Sequence, residues 1–234
     1  MIEAVNLSVK LNGAERLRGV NMRAVEGETT LIVGRNGSGK STLLRALAGD
    51  LKIASGEILA NGRPASKNRR LLRKSAALMR QRETALPGVS VERYLRACAG
   101  KRADLDEAAE LFEIESLRGR LLERLSPGEE RRVDWARAAL TDAPALLLDE
   151  PLADLDPAAK TDALGILAEF KRMKKTMLIA SNDPETYEPL ADAVAALHEG
   201  RVAALGPADE VKREGETWAA ALLRLAGEAE SGAP

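Results

Sequence analysis

The fold is decided by one stretch of sequence, Thr29-Thr-Leu-Ile-Val-Gly-Arg-Asn-Gly-Ser-Gly-Lys-Ser41. Its first five residues are β-branched or apolar, which predicts a buried strand that ends at Gly34. The next eight residues follow the pattern G-x-x-x-x-G-K-[ST], and residues 42–48 have the apolar spacing of a helix. A strand, a glycine-rich loop and a helix in this order predict a phosphate-binding loop.

This loop predicts a nucleotide site with defined roles. Glycines let successive backbone N–H groups curl around phosphate oxygens, and the amino terminus of the helix adds partial positive charge. We expect Lys40 to neutralise the β- and γ-phosphates and the Ser41 hydroxyl to ligate Mg²⁺, which prefers oxygen ligands. The expected phosphate contacts are Gly34, Arg35, Asn36, Gly37, Ser38, Gly39, Lys40, Ser41 and Thr42.

A second apolar run, residues 145–148, ends in two successive carboxylates, Asp149 and Glu150. A site for Mg²⁺ and a nucleotide needs a carboxylate at the end of a strand that neighbours the loop. We therefore expect Asp149 to hold the metal through its water shell. Glu150 would point at the γ-phosphate and polarise the attacking water.

Short β-like runs alternate with helical patterns along the whole chain, without an internal repeat, which predicts an α/β protein. The strand-like runs are residues 3–9, 20–25, 29–33, 56–60, 75–79, 145–148, 176–180, 193–197 and 202–205. The pattern turns helical and charged from residue 91 to about residue 122. We expect a single domain over residues 1–226, a helical subdomain at about 86–140, and a flexible tail at 227–234.

The composition excludes several classes of protein. Hydrophobic residues at 45% and charged residues at 30% argue against disorder and against a membrane span. The single Cys98 and the single His198 cannot build a disulfide framework or a zinc site, which indicates a reducing compartment. The amino terminus lacks the pattern of a signal peptide, so we expect a cytoplasmic protein.

The charge balance argues against nucleic acid as a direct partner. Thirty-five basic side chains stand against 36 acidic ones, so no global field attracts a polyanion. The basic run at residues 63–74 has no aromatic side chain nearby on which a base could stack. We therefore interpret this run as a solvated face.

Further motifs make the chain resemble the ATP-binding cassette (ABC) ATPases, the nucleotide-binding subunits of ABC transporters, over roughly residues 2–215. Residues 125–129, Leu-Ser-Pro-Gly-Glu, resemble the family signature LSGGQ. Gln81 resembles the glutamine of the Q-loop, and Asp156, preceded by leucine, resembles the D-loop. The resemblance implies a P-loop NTPase fold with a RecA-like core, an antiparallel β subdomain and a helical subdomain that carries the signature.

The resemblance also implies ATP hydrolysis coupled to transport. Two cassettes, identical or not, would close head to tail around ATP and Mg²⁺, and separate membrane-spanning permease subunits would hold them at the inner face of the cell membrane. Gln81 would contact the γ-phosphate or Mg²⁺ and relay closure to the permease. The contacts to ATP that the resemblance adds, some of them across the dimer, are Ser126, Gly128, Glu129 and Asp156.

The chain departs from the family pattern at three positions. Asn182 occupies the place of the switch histidine, and its amide offers the γ-phosphate only a neutral donor on a shorter arm. Leu11 occupies the place of the aromatic that stacks on adenine, a contact that contributes roughly 1 to 3 kcal/mol. Pro127 replaces a glycine of the signature and removes one backbone donor.

These departures leave two interpretations open. They are harmless divergence within a working ATPase, or they mark slow turnover or pairing with a non-identical cassette. Two other functions also stay open, namely a soluble ABC ATPase outside transport and a regulatory cassette that binds ATP with little turnover. The sequence selects neither the cargo nor the direction of transport.

Overall fold

The structure is a computed structural model that describes residues 1–80, 86–101, 103–153 and 155–231. Gln81, expected in the Q-loop, therefore lies outside the described residues. The strands are β1 (Ile2–Leu11), β2 (Ala14–Ala24), β3 (Thr29–Val33), β4 (Ser55–Ala60), β5 (Arg63–Pro64), β6 (Ala76–Met79), β7 (Ala145–Asp149), β8 (Thr176–Ser181), β9 (Ala193–His198) and β10 (Arg201–Gly206).

The helices of the described residues follow the same order. They are α1 (Lys40–Leu47), α2 (Arg69–Ser75), α3 (Val91–Cys98), α4 (Leu105–Leu111), α5 (Pro127–Leu140), α6 (Pro157–Arg172), α7 (Pro184–Tyr187), α8 (Ala208–Val211) and α9 (Trp218–Ser231), with short 3₁₀ turns at Glu115–Leu117, Leu122–Arg124 and Glu188–Leu190. Among them, no helix combines the length and the apolar character that crossing a membrane requires.

The chain divides into two compact units. The first unit comprises Met1–Gln81 and Pro144–Pro234, and the second unit comprises Arg82–Ala143. The second unit is helical where it is described: α3 and α4 both contact α5, and Val91 and Leu95 of α3 are buried. The helical pattern after residue 91 is thus confirmed by helices α3 and α4.

The first unit contains two sheets. The larger has the strand order β10-β9-β3-β8-β7-β6, in which β3 pairs in parallel with β8 and β9, and β7 pairs in parallel with β8 and β6. The smaller is an antiparallel sheet with the order β2-β1-β4-β5. Every residue of β3, β7 and β8 is buried, as expected for parallel strands that are covered on both faces.

Helix α1 packs between the two sheets and fixes the loop that precedes it. Leu43 and Leu44 are fully buried, and α1 contacts β1 of the small sheet and both β7 and β8 of the large one. Full burial of a leucine side chain stabilises a fold by about 1.5 to 3 kcal/mol. The core therefore holds the start of α1 at the carboxyl ends of β3, β7 and β8.

Most strand boundaries differ from the sequence prediction by one or two residues, and two element boundaries differ by more. Strand β2 begins at Ala14 rather than at residue 20, because exposed charged side chains in its first half obscure the apolar alternation. Helix α9 ends at Ser231, five residues into the tail that was expected at 227–234. Arg224 and Glu228, one turn apart, form an ion pair that supports this extension.

Candidate nucleotide site

The loop after β3 approaches its neighbours so closely that two of its glycines admit no side chain. A Cβ on Gly34 would lie 2.4 Å from the Leu197 carbonyl oxygen, and one on Gly39 would lie 2.9 Å from Leu17 Cδ2. Gly39 also has a φ of 112°, in the region that favours glycine. The loop conformation therefore requires glycine at both positions.

Some polar groups of this loop have no side-chain partner among the described residues. Helix α1 begins at Lys40 with Gly39 as its capping residue, which provides no side-chain cap for the first-turn N–H groups. Ser38 is buried, and its hydroxyl oxygen has no hydrogen-bond partner among the described residues. Buried polar groups normally have partners, so this cradle fits an anionic ligand such as a phosphate.

Lys40 lies across the loop. Its Nζ donates hydrogen bonds to the Gly34 carbonyl oxygen and to Asn182 Oδ1, each at 2.7 Å. Burial lowers the pKa of Lys40, and the carboxylates of Glu150 and Asp149 oppose that effect by stabilising the ammonium. The lysine is thus held with its charge beside two carboxylates and beside the expected switch position.

The two described residues expected at the metal lie together. Ser41, at the start of α1, donates a hydrogen bond from Oγ to Asp149 Oδ1 at the end of β7, with a separation of 3.0 Å. Burial raises the pKa of Asp149, and the hydrogen bond from Ser41 and the charges of Lys40 and Arg45 oppose this. A hydroxyl beside one carboxylate is an all-oxygen donor set that suits Mg²⁺ bound together with phosphates.

No cluster of three or more His, Cys, Asp or Glu side chains able to hold a metal occurs in the part of the chain that the structure describes. A dedicated protein cage for a metal is therefore not found in this part of the chain. The pair of Ser41 and Asp149 fits the other mode of Mg²⁺ binding, in which the substrate phosphates and water complete the shell.

Glu150 follows Asp149 directly and has an unusual backbone. Its φ is 49°, in the left-handed region that non-glycine residues seldom adopt. Its Oε2 accepts a hydrogen bond from Ser181 Oγ at 3.4 Å, whereas its buried Oε1 has no partner among the described residues. Burial raises the pKa of Glu150, and the nearby Lys40 charge is the main opposing effect. A carboxylate with a raised pKa and a free oxygen is suited to accept a proton.

The comparisons with known proteins agree with this geometry. A family model described as ABC transporter matches residues 17–153, which is more than half of the chain. The chain belongs to the ABC transporter family. The expected identity, an ATP-binding subunit of that family, is confirmed by this match together with the relatives described next.

Two relatives and one solved structure illustrate the similarity. The hemin import ATP-binding protein HmuV of Streptomyces coelicolor is 38% identical over 224 residues, which cover 91% of this chain and 80% of HmuV. The molybdenum import ATP-binding protein ModC of Pseudomonas aeruginosa is 38% identical over 215 residues, which cover 87% of this chain and 58% of ModC. A structure described as the ATP binding subunit of an ABC transporter superposes with a TM-score of 0.86 at 25% identity, covering 96% of this chain and 99% of that one. The predicted P-loop fold of the ABC ATPases is confirmed.

The ABC signature lies in the second unit, where its side chains cap a helix. Ser126 Oγ accepts a hydrogen bond from the Glu129 N–H at 3.3 Å, and a Glu129 carboxylate oxygen accepts one from the Ser126 N–H at 2.8 Å. Pro127 occupies the first turn of α5, where the missing N–H costs nothing. Glu129 also pairs with Arg120 at 2.6 Å. This reciprocal capping gives Glu129 a structural role, and Pro127 fits the first turn of the helix. Contacts of Ser126, Gly128 and Glu129 with ATP remain predictions.

Two other expected contacts have structural roles of their own. Asp156 caps α6, because its side chain accepts a hydrogen bond from the Ala159 N–H at 2.9 Å. Leu11 ends β1 and packs partly buried against the core. Contacts of Asp156 and Leu11 with ATP also remain predictions.

Sequence reasoning missed Tyr187. The residue is 2% exposed, and its phenol oxygen accepts a hydrogen bond from the Leu152 N–H, two residues after Glu150, at 3.2 Å. The available signal was its rarity, since the chain has two tyrosines and this one follows the switch position by only five residues.

Proposed function

We propose that this chain binds Mg²⁺-ATP at the loop of residues 34–41, hydrolyses it with Glu150, and powers an ABC transporter whose membrane-spanning subunits are separate chains. One observation carries the proposal: Lys40 and Ser41, which follow β3, converge with Asp149 and Glu150 at the end of β7, the two strands that flank β8. The family supports ATPase activity in general, and this convergence supports the assignment of roles to individual residues.

Each of these residues has a role that follows from its chemistry. The amides of the loop and the Lys40 ammonium bind the phosphate chain. Ser41 and Asp149 would hold Mg²⁺, which would neutralise phosphate charge. Glu150 orients a water molecule and accepts its proton at the free Oε1.

Asn182 is proposed to make this hydrolysis slow. Its Oδ1 accepts the hydrogen bond from Lys40, so only the neutral Nδ2 donor remains for a γ-phosphate. Hydrogen bonds from a charged donor are roughly twice as strong as those from a neutral one, and a histidine at this position can provide the charged donor. The departure from the family pattern thus weakens transition-state stabilisation rather than nucleotide binding.

We also infer the partners of the chain. A second cassette, identical or not, would place its own signature on the nucleotide held here, and permease subunits would hold the pair at the inner face of the membrane. The names of HmuV and ModC both specify import, which favours import for this chain as well. Those names specify different cargoes, hemin and molybdenum, so they do not assign a cargo.

The decisive experiment compares ATP hydrolysis by the full chain with that of Glu150→Gln. We expect the variant to lose at least about 100-fold in kcat while it still binds ATP, because it keeps the loop and loses only the proton acceptor. Glu26→Gln, a matched change at an exposed glutamate in the turn after β2, serves as the control. Equal rates for wild type and Glu150→Gln would refute the assignment, and a wild type that binds ATP without hydrolysing it would favour a regulatory cassette.

A further inference from the structure

The backbone of Glu150 is held in a conformation that needs external restraint. Its φ of 49° is left-handed, and such strained backbones persist only where the surrounding structure over-determines them. They concentrate at functional sites, where the strain aims a side chain. Specific groups around Glu150 must therefore hold its backbone in this conformation.

Hydrogen bonds restrain both the N–H and the carbonyl group of Glu150. The Glu150 N–H donates to the Ala180 carbonyl oxygen at 2.9 Å, which continues the pairing of β7 with β8. The Ala153 N–H donates to the Glu150 carbonyl oxygen at 3.0 Å and closes a turn. Both are bonds between backbone groups, and they fix only the start and the end of the turn.

The remaining restraint comes from a side chain. Within that turn the Leu152 N–H donates to Tyr187 Oη at 3.2 Å, in surroundings where Leu152 is 4% exposed. A buried N–H needs an acceptor, and the phenol oxygen provides one that is anchored on a different element, α7. The turn after Glu150 is therefore tied to the segment that follows the switch residue.

Tyr187 also lies beside the group that touches the carboxylate. The hydroxyl of Ser181 contacts Glu150 Oε2 and also interacts with the phenol. Burial raises the pKa of Tyr187, and hydrogen bonds with the Leu152 backbone and the Ser181 side chain oppose this effect. The phenol therefore accepts a hydrogen bond from the backbone that follows Glu150, and it lies near the Ser181 hydroxyl that meets the Glu150 side chain.

We propose that Tyr187 is a positioning residue that holds Glu150 in its hydrolytic orientation by accepting the Leu152 N–H and flanking Ser181. The proposal rests on the function proposed above for Glu150. Tyr187 lies on α7, outside the phosphate loop, the strand that ends in the two carboxylates, and the switch position.

The test uses Tyr187→Phe in the full chain, which removes one oxygen and keeps the buried ring. We expect kcat for ATP hydrolysis to fall by about ten- to hundred-fold, the effect of displacing a reacting group by about 1 Å, with an unchanged KM. The Leu152 amide should also exchange with deuterium faster than in wild type. Tyr94→Phe, the same chemical change at the other tyrosine of the chain, should leave both quantities unchanged.

The outcomes separate this proposal from the one it rests on. A kcat for Tyr187→Phe within twofold of wild type, or an equal loss in Tyr94→Phe, would overturn the role of Tyr187 while Glu150 keeps its own. A wild type without Glu150-dependent hydrolysis would overturn the proposed function instead. In that case the exchange rate of the Leu152 amide in Tyr187→Phe still tests the positioning role of Tyr187. A rate equal to that of wild type would show that Tyr187 does not restrain this backbone.

Discussion

Lys40 and Asn182 are joined by a 2.7 Å hydrogen bond from the ammonium Nζ to the amide Oδ1. The two residues are 142 positions apart in the chain and meet because β3 and β8 are neighbouring parallel strands. Asn182 is the residue expected at the family's histidine position, and its side-chain oxygen is therefore already bonded to Lys40. Under the proposed function, only the amide Nδ2 of Asn182 is left to donate a hydrogen bond to the phosphate.

The first prediction concerns this position. Asn182→His should raise kcat for ATP hydrolysis by about fivefold, because a charged donor adds about 1 kcal/mol to a hydrogen bond with the phosphate. Asn182→Ala should lower kcat by a similar factor, since no donor remains. Steady-state hydrolysis by the purified chain measures both.

The opposite pattern would contradict the slow-turnover hypothesis. If Asn182→His gains nothing and Asn182→Ala loses nothing, the asparagine is harmless divergence. Asp183→Asn changes the neighbouring exposed side chain and serves as the control for a general disturbance of the turn after β8.

The second prediction concerns the metal. Ser41→Ala removes the hydroxyl that contacts Asp149, so the Mg²⁺ concentration needed for half-maximal ATP binding should rise by at least about tenfold. Calorimetric titration of ATP at several Mg²⁺ concentrations gives this value without relying on hydrolysis. Thr161→Ala deletes a comparable exposed hydroxyl on α6 and should not shift it. An unshifted Mg²⁺ requirement in Ser41→Ala would remove Ser41 from the metal site.

The phosphate loop could be predicted because its determinants are local in sequence. The strand, the glycines and Lys40 lie within one stretch, and the close approach at Gly34 follows from the same motif. Asp149 and Glu150 could be predicted because an apolar strand ends at them. The tie between Ser126 and Glu129 also obeys a local spacing of three residues, although its capping role was not anticipated.

Contacts between distant segments could not be predicted in the same way. Leu152 meets Tyr187 across 35 positions, and the meeting depends on where α7 places the ring after β8. Spacing in the sequence does not state which strands are neighbours, so neither this contact nor the bond from Lys40 to Asn182 follows from a motif. The left-handed backbone of Glu150 has no sequence signal either, because glutamate seldom adopts it.

The third prediction concerns pH and follows from the partial burial of Glu150. Burial raises the pKa of this carboxyl above its ordinary value, and proton acceptance requires the ionised form. Hydrolysis should therefore decline as the pH falls through the raised pKa of Glu150. The midpoint of this decline should lie above about 4.3, the ordinary pKa of an exposed glutamate. A pH profile of kcat measures the midpoint of this decline.

The same pKa shift makes a claim about stability with a definite sign. A carboxyl whose pKa is higher in the folded state than in the unfolded state stabilises the fold while it is protonated, and it loses that contribution as the pH rises through the folded pKa. At neutral pH the ionised Glu150 therefore destabilises the fold relative to an uncharged side chain, and Glu150→Gln should raise the melting temperature. The gain should vanish below about pH 4, where the wild-type carboxyl is protonated in both states. The Lys40 charge and a hydrogen bond from the Asn182 backbone both stabilise the ionised Glu150. A melting temperature for Glu150→Gln equal to or below that of wild type at pH 7 would show that these two groups fully compensate the partly buried charge.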